Sequence, residues 1–184
     1  MPLSPPVKRK HIHTREVRCV GYEREDGMWD IEGRITDTKT YTFDNKERGM
    51  ISAGTPVHDM FVRLTVDTDL IVQDAEASTE AGPFHICPAV NDGVKALKGM
   101  KITSGWTRNV HKVIGGIKGC THINQLLMGP LATTAYQSIV PKKASLTKKP
   151  KKRPIVIDTC HAFTADGPVV KNFWPDYYEG DETE

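Results

Sequence analysis

The sequence predicts an α+β fold, in which a strongly curved antiparallel sheet of about six or seven strands, partly barrel-like, packs against one long kinked helix and one short helix. Apolar and polar residues alternate over several stretches before residue 82. Turn residues such as Glu25-Asp26-Gly27 separate these stretches in the way that joins antiparallel strands. The best helical periodicity follows only after residue 120, so the pattern lacks the βαβ alternation of a parallel sheet.

The predicted strands follow one another closely along the first half of the chain. The second is the clearest, because Trp29 and Ile31 occupy one face while Asp30 occupies the other. Residues 45–55 are polar and contain two glycines, which predicts a loop, and residues 90–97 predict the short helix. The predicted strands cover residues 14–24, 28–36 with an extension over 37–43, 56–66, 70–78 and 100–114.

The rest of the chain is organised around residues 113–128, where three glycines interrupt a β-like run and open the long helix. Thr121 is the predicted N-cap, and Gly129-Pro130 must kink or split the helix, since proline clashes with the preceding turn. Cys120, Thr121 and His122 would lie at the positive end of the helix dipole, which can lower a thiol pKa or hold an anionic oxygen. Cys120 is therefore a candidate nucleophile, although nothing local to it supplies a base.

Composition sets the domain prediction. A chain of 184 residues with 38% hydrophobic content can build one full core, so we expect a single domain over residues 14–178. Residues 1–13 are proline-rich and basic and predict a disordered arm. Within the domain, the lysine-rich residues 141–154 predict a mobile basic linker, and residues 179–184 form an acidic tail.

Charge and cysteine usage exclude several classes of protein. A net charge of +2 with no aromatic residues between the linker lysines argues against nucleic-acid binding. The sequence contains no apolar run long enough for a bilayer and no signal-peptide core after Met1, so we expect no membrane association. Four scattered cysteines indicate reduced thiols and a cytoplasmic location. Surplus apolar surface, including F-W-P-D-Y-Y near the C-terminus, predicts a homodimer or small homo-oligomer.

A metal site is a weaker interpretation of the cysteine and histidine positions. Cys120 with His122, or Cys160 with its neighbouring histidine, could supply zinc ligands together with His58 or Cys87. The strong zinc spacings are absent, and Cys120 and His122 would diverge by about 200° on a helix. The sequence therefore predicts no metal and no cofactor.

The polar face of the strands carries a third candidate site. Such a face is ordinarily a solvated sheet surface, but this one combines two tyrosines, three cations and two carboxylates. If the sheet curls and the helix covers this face, the groups line a pocket with His122 at its rim, where a low dielectric shifts pKa values toward neutrality. The set comprises Tyr22, Arg24, Asp30, Glu32, Lys39, Tyr41 and Arg63.

Four segments carry a combination of motifs: residues 21–41, 58–67, 119–127 (G-C-T-H-I-N-Q-L-L) and 158–163 (D-T-C-H-A-F). Together they resemble a bacterial family called domain of unknown function 2889. The resemblance extends over residues 14–178, without the lysine-rich linker. It implies an association with aromatic-compound catabolism and a lyase that releases formaldehyde from a lignin-derived dimer. The resemblance brings no list of catalytic residues, so the roles below are assigned from chemistry alone.

Formaldehyde loss from a phenolic phenylcoumaran-type substrate needs no metal or redox cofactor. It needs a cation for the phenolate, a base for the primary alcohol and an acid for the departing oxygen. Alternatives are a non-catalytic binding or scaffold protein that uses residues 148–153, and a Zn- or Cys-dependent hydrolase. The predicted roles are Lys39 or Arg63 for the phenolate, Glu32 or His122 as base, Tyr22 or Tyr41 as acid, Trp29 and Trp106 as aromatic walls, and Asp30, Cys120 and Thr121 as further substrate contacts.

Overall fold

The computed structural model describes residues 3–145, 152–154 and 156–181, and for residues 144 and 145 it describes the backbone only. The chain divides into two compact units, Met1–Lys143 and Ala144–Glu184. The first unit contains a four-stranded antiparallel sheet in the order β1-β2-β5-β6 and a separate two-stranded hairpin, β3-β4. Its strands are β1 (His13–Glu23), β2 (Trp29–Lys39), β3 (Phe43–Asn45), β4 (Gly49–Ile51), β5 (Pro56–Val66) and β6 (Val72–Ala81).

The predicted α+β class with an antiparallel sheet is confirmed, but the sheet is open. Its edges are β1 and β6, which do not pair with each other, so the barrel-like closure is not formed among the described residues. The predicted loop over residues 45–55 contains part of the β3-β4 hairpin, whose turn is stabilised by Asn45, since Oδ1 of Asn45 accepts the N–H groups of Glu47 and Arg48.

The alternation read from the sequence holds along the central strands. In β2, Trp29, Ile31 and Ile35 are buried, and in β5 Leu64 and Val66 are buried. These side chains form the inner face of the sheet, which packs against the helices in one hydrophobic core. The intervening polar side chains form the outer face, which carries the ion pairs Arg34–Asp59 and Arg63–Glu32.

The predicted strand over residues 100–114 is wrong, because most of it is helix α1 (Trp106–Ile114). Trp106, Val110 and Ile114 are spaced four residues apart and are all buried, which is the period of one helix face. Gly105 precedes the helix at φ +84°, a left-handed conformation that glycine adopts without steric cost. The predicted short helix appears as a 3₁₀ helix, Cys87–Leu97.

The predicted long helix is present and consists of α2 (Thr121–Leu126), a π turn (Leu127–Leu131) and α3 (Ala132–Ser145). Pro130 lies inside the π turn, where its missing N–H is accommodated. The kink or split expected at Gly129-Pro130 is therefore present as a π turn in the middle of the helix. Indole Nε1 of Trp106 donates to the Leu127 carbonyl at 2.7 Å in the core. A Cβ on Gly33 of β2 would lie 3.0 Å from Cδ2 of Leu131, so glycine lets the helix approach the sheet closely.

The second unit has its own small core of Ile157, Ala165 and Val170. It contains two 3₁₀ turns, His161–Phe163 and Pro175–Tyr177, and helix α4 (Pro168–Phe173). Of the predicted linker over residues 141–154, the first five belong to α3, and residues 146–151 lie outside the described residues, as do 182–184 of the acidic tail. None of the described helices combines the length and apolar character needed to cross a membrane.

Candidate functional site

A buried carboxylate gathers four basic side chains at one end of the sheet. Asp37 of β2 is only 2% exposed and continues the inner-face positions of its strand. His58 of β5 and Arg15 of β1 are its direct cross-strand partners. His13 reaches it from the start of β1, and His122 from the first turn of α2. We refer to these five residues as the Asp37 cluster.

Arg15 and His13 hold the carboxylate of Asp37 in its ionised form. Arg15 donates from Nε to Oδ1 at 2.8 Å and from Nη2 to Oδ2 at 2.7 Å, and Nε2 of His13 lies 2.8 Å from Oδ1. Burial alone would raise the pKa of Asp37, but these hydrogen bonds and the charges of Arg15 and His58 lower it to about 2. Asp37 is therefore a fixed negative charge at any physiological pH.

His58 and His122 face the second oxygen of Asp37 as a stacked pair of imidazoles. Nδ1 of His58 lies 3.1 Å and Nε2 of His122 lies 3.5 Å from Oδ2, and the ring centroids are 3.8 Å apart. Burial lowers the pKa of both histidines, and the positive charge of Arg15 lowers it further. Because their pKa values are lowered, both rings are mainly neutral near pH 7. Their side chains are 19% and 16% exposed, so both rings are also partly accessible, as a general base requires.

The thiol of Cys120 lies beside the same imidazole. Its Sγ is 3.8 Å from Nδ1 of His122, whose Nε2 faces Asp37. The expectations that Cys120 and His122 diverge and that Cys120 has no local base are both wrong. Cys120, and not Thr121, occupies the N-cap position in an extended conformation, so helical geometry does not separate the two side chains. No side-chain hydrogen bond caps this helix.

The cluster also offers a geometrically plausible set of metal ligands. Donor atoms of Asp37, His58 and His122 lie within 4.8 Å of one another, and such N/O donors suit zinc or iron. Nδ1 of His58 is buried and has no aligned hydrogen-bond partner. Against a metal, Arg15 engages both oxygens of Asp37, and its charge opposes a further cation as it opposes protonation of the histidines. Proton transfer is the chemistry that these electrostatics favour.

The outer face of the sheet holds a second set of predicted residues. Tyr22, Glu32 and Arg63 line a cavity of about 380 Å³, and Nε of Arg63 donates to Glu32 at 2.9 Å. Asp30 lies near its edge and accepts a hydrogen bond from Thr65. His122 is absent from this group because the helices cover the apolar inner face, so the predicted pocket with His122 at its rim does not form.

The other predicted site residues are divided between the sheet end and the core. Lys39 pairs in register with His13, at the same end of the sheet as the Asp37 cluster, and its Nζ lies 3.0 Å from the Tyr41 hydroxyl. Arg24, in the tight turn after β1, is bound to Asp26 and Asp30. Thr121 is an exposed residue at the start of α2. Trp29 and Trp106 are core residues, 6% and 4% exposed, and neither lines the outer cavity.

Sequence reasoning missed Asp37, His13 and Arg15, and it considered His58 only as a metal ligand. The sequence did contain a signal for Asp37, because it occupies the next inward-facing position of β2 after Trp29, Ile31, Gly33 and Ile35. A carboxylate at a buried position of a strand requires a charge or hydrogen-bond partner, and it is therefore a candidate functional residue. The four partners lie between 21 and 85 positions from Asp37 in the chain, so no spacing motif connects them to it.

Residues 13–137 match the family described as "Protein of unknown function (DUF2889)". The match covers more than half of the chain and includes every residue of the Asp37 cluster, and the chain belongs to this family. No curated protein and no solved structure matches the chain.

Proposed function

We propose that this chain is an acid–base enzyme whose catalytic centre is the Asp37 cluster, and that it acts as a carbon–carbon lyase on a phenolic aromatic substrate. One observation carries the proposal: a buried, ionised carboxylate faces two stacked, partly exposed imidazoles whose pKa values are lowered. Perturbed titratable groups converging on one charge partner are characteristic of catalytic centres. The lyase reaction and the phenolic substrate come from the family resemblance.

In the proposed reaction, the substrate phenolate expels its benzylic oxygen and becomes a quinone methide. His122 takes the proton of the primary alcohol, the carbon–carbon bond to that carbon breaks, and formaldehyde leaves. The electron pair of the broken bond restores the aromatic phenolate, and the proton passes to the expelled oxygen. One substrate thus gives one alkene and one formaldehyde, with no oxidant, reductant or cofactor.

Asp37 positions the base and does not itself take the proton. With its pKa at about 2 it stays ionised, orients the ring of His122 and stabilises the imidazolium that forms on proton transfer. His58 stacks on the same ring and supplies a second neutral imidazole. Lys39 and Tyr41, at the same end of the sheet, are the candidates for holding the phenolate.

A Cys-dependent hydrolase is the second candidate, because Cys120, His122 and Asp37 lie in the order of a nucleophile, a base and an orienting carboxylate. Cys120→Ser distinguishes the two. We expect a lyase to keep its turnover within about threefold, whereas a cysteine nucleophile replaced by serine loses at least the 10²-fold typical of a lost catalytic group. A covalent thioester adduct in the mass spectrum of the wild-type protein with substrate would support the hydrolase.

The direct experiment is a screen of phenolic lignin-dimer substrates for released formaldehyde, made before and after treatment with a strong chelator. We expect turnover on at least one such compound, equal before and after chelation, with less than 0.1 metal ion per chain by elemental analysis. Turnover that disappears on chelation and returns with one metal would replace the acid–base centre with a metal centre. No turnover on any compound would contradict the lyase proposal and favour a binding protein. We also propose that the protein is cytoplasmic and forms a homodimer or small homo-oligomer, and light scattering tests the oligomeric state.

A further inference from the structure

The outer face of the sheet presents three rows of side chains that run straight across its four strands. The middle row is Val20, Glu32, Arg63 and Glu76 in cross-strand register. The row on one side is Arg18, Arg34, Phe61 and Ser78, and the row on the other side is Tyr22, Asp30, Thr65 and Asp74. A cavity of about 380 Å³ is lined by the middle row, by the row of Arg18 and by Tyr22. It lies on the face opposite the core and the Asp37 cluster, and its volume is within the size range of small-molecule sites.

The β1 end of this cavity carries an unsatisfied positive charge. Arg18 pairs directly with Arg34, and like charges at directly opposite strand positions destabilise a sheet. Arg34 is neutralised by a two-point ion pair with Asp59, at 2.8 and 2.7 Å. Arg18 makes no hydrogen bond or ion pair with any described residue. A planar guanidinium in this position is suited to a two-point contact with a carboxylate.

The opposite end of the cavity carries surplus acceptors. Arg63 lies between Glu32, at 2.9 Å, and Glu76, at 3.5 Å, so two carboxylates share one guanidinium. The shorter contact is with Glu32, and Glu76 keeps acceptor capacity at the β6 side. The cavity is therefore polarised, with a donor group at β1 that is unpaired among the described residues and a carboxylate at β6 that is only partly satisfied by Arg63.

Aromatic surface lies between the two ends. The rings of Phe61 and Tyr22 are both exposed in the cavity, although large apolar side chains are ordinarily buried. The guanidinium of Arg34 lies over the Phe61 ring, 4.9 Å from its centroid, so it covers one face of that ring and leaves the rest of Phe61 and the ring of Tyr22 for a ligand. This arrangement suits a planar ring placed over β2 and β5.

The geometry points to a second ligand site in this cavity, separate from the Asp37 cluster, for an aromatic carboxylate that carries a hydroxyl group at the far end of its ring. The carboxylate binds Arg18, the ring lies on Phe61 and Tyr22, and the hydroxyl donates to Glu76. The opposite ends of the cavity require both polar groups, so the site prefers such a ligand to benzoate or to an inorganic anion.

Titration calorimetry with 4-hydroxybenzoate tests the site on the whole chain. We expect Arg18→Ala to weaken binding at least tenfold, while Arg108→Ala, which removes an exposed arginine of α1 outside the cavity, changes it less than twofold. Wild-type protein should bind benzoate several-fold more weakly than 4-hydroxybenzoate, and Glu76→Ala should abolish that difference. Equal affinity in the wild type and Arg18→Ala, or equal competition by inorganic phosphate, would overturn the proposal.

The same titration with His122→Ala separates this site from the proposed catalytic centre. We expect 4-hydroxybenzoate to bind His122→Ala as it binds the wild type, whether or not the protein proves to be a lyase. Binding that is lost in His122→Ala and kept in Arg18→Ala would place the ligand at the Asp37 cluster and would contradict the second site. Circular dichroism spectra that match the wild type confirm that each variant is folded.

Discussion

Nε2 of His122 lies 3.5 Å from Oδ2 of Asp37, although 85 residues separate the two in the chain. The distance depends on two features of the fold. Asp37 occupies one of the inward-facing, buried positions of β2. His122 lies in the first turn of α2, directly after the extended N-cap residue Cys120, and reaches the same end of the sheet. A carboxylate fixed in its ionised form beside a neutral imidazole can orient that imidazole and stabilise its protonated state, which is the basis of the proposed chemistry.

Asp37→Asn tests the importance of the carboxylate for both stability and activity. The substitution preserves shape but removes the charge that binds Arg15, and a buried ion pair broken on one side leaves its partner uncompensated. We expect the free energy of unfolding to fall by about 2 kcal/mol in urea titrations, since Arg15 can partly turn toward solvent. Asp26→Asn, which alters an exposed ion pair with Arg24, is the matched control and should change stability little. A stability loss no larger than that of the control would show that the pair is unimportant.

The pH dependence of stability follows from the two histidines and the carboxylate. Because the folded pKa values of His58 and His122 are lowered, the unfolded chain binds more protons below about pH 6.5. Stability should therefore be complete above about pH 6.5 and fall as the pH drops below it. Asp37 adds a second loss as the pH falls from 3.8 toward 2. Urea titrations between pH 4.5 and 8 measure the first effect, and replacing both histidines with Gln should flatten it. Stability that rises as the pH falls from 7 to 5 would contradict the lowered pKa values.

The loss of activity at low pH should follow protonation of His122, one of the same two histidines. We expect the acid limb of kcat/KM to have a midpoint below 6.5, because neutral His122 is the active form. Arg15→Gln removes a positive charge that lowers this pKa, so it should move the midpoint upward. A midpoint that stays in place in Arg15→Gln would indicate that another group controls the limb.

Gly33→Val tests the contact between the sheet and the long helix. A side chain at Gly33 meets Leu131 of the π turn, with Cβ only 3.0 Å from Cδ2, so the bulkier valine must displace the helix. We expect a loss of about 1–3 kcal/mol in the free energy of unfolding, the usual cost of overpacking a core. Glu16→Val on the exposed face of β1 is the control, with a change of less than about 0.5 kcal/mol. Equal stabilities of the two variants would show that the helix is not tightly packed at this point.

The sequence was sufficient for the elements whose packing follows a simple period. The alternation in β2 and β5 predicted the buried face correctly, and the interruption at Gly129-Pro130 followed from proline stereochemistry. It failed for α1, where Trp106 and Val110 fit both an alternating and a helical pattern over a short stretch. Periodicity gives the buried side of each element, but it does not by itself distinguish short helices from strands.

The site was less predictable than the fold because three-dimensional register determines it. His122 was identified from its position at the helix start, but the prediction placed it over the polar outer face with Glu32 and Arg63. In the structure the helix covers the apolar face, as burial of Ile31 and Leu64 requires, and so His122 meets the inner-phase Asp37. The hydrophobic effect decides which face the helix covers, and it thereby decides which polar residues can reach His122.

The most direct test of the proposed centre compares kcat/KM for formaldehyde release in the wild type, His122→Ala and His111→Ala. His111 is an exposed histidine of α1 and makes the matched control. We expect His122→Ala to lose about 10²–10⁴-fold in kcat/KM, the range for a lost general base, with an unchanged circular dichroism spectrum. His111→Ala should keep wild-type activity. Wild-type kcat/KM in a folded His122→Ala variant would contradict the central claim that the Asp37 cluster carries the chemistry.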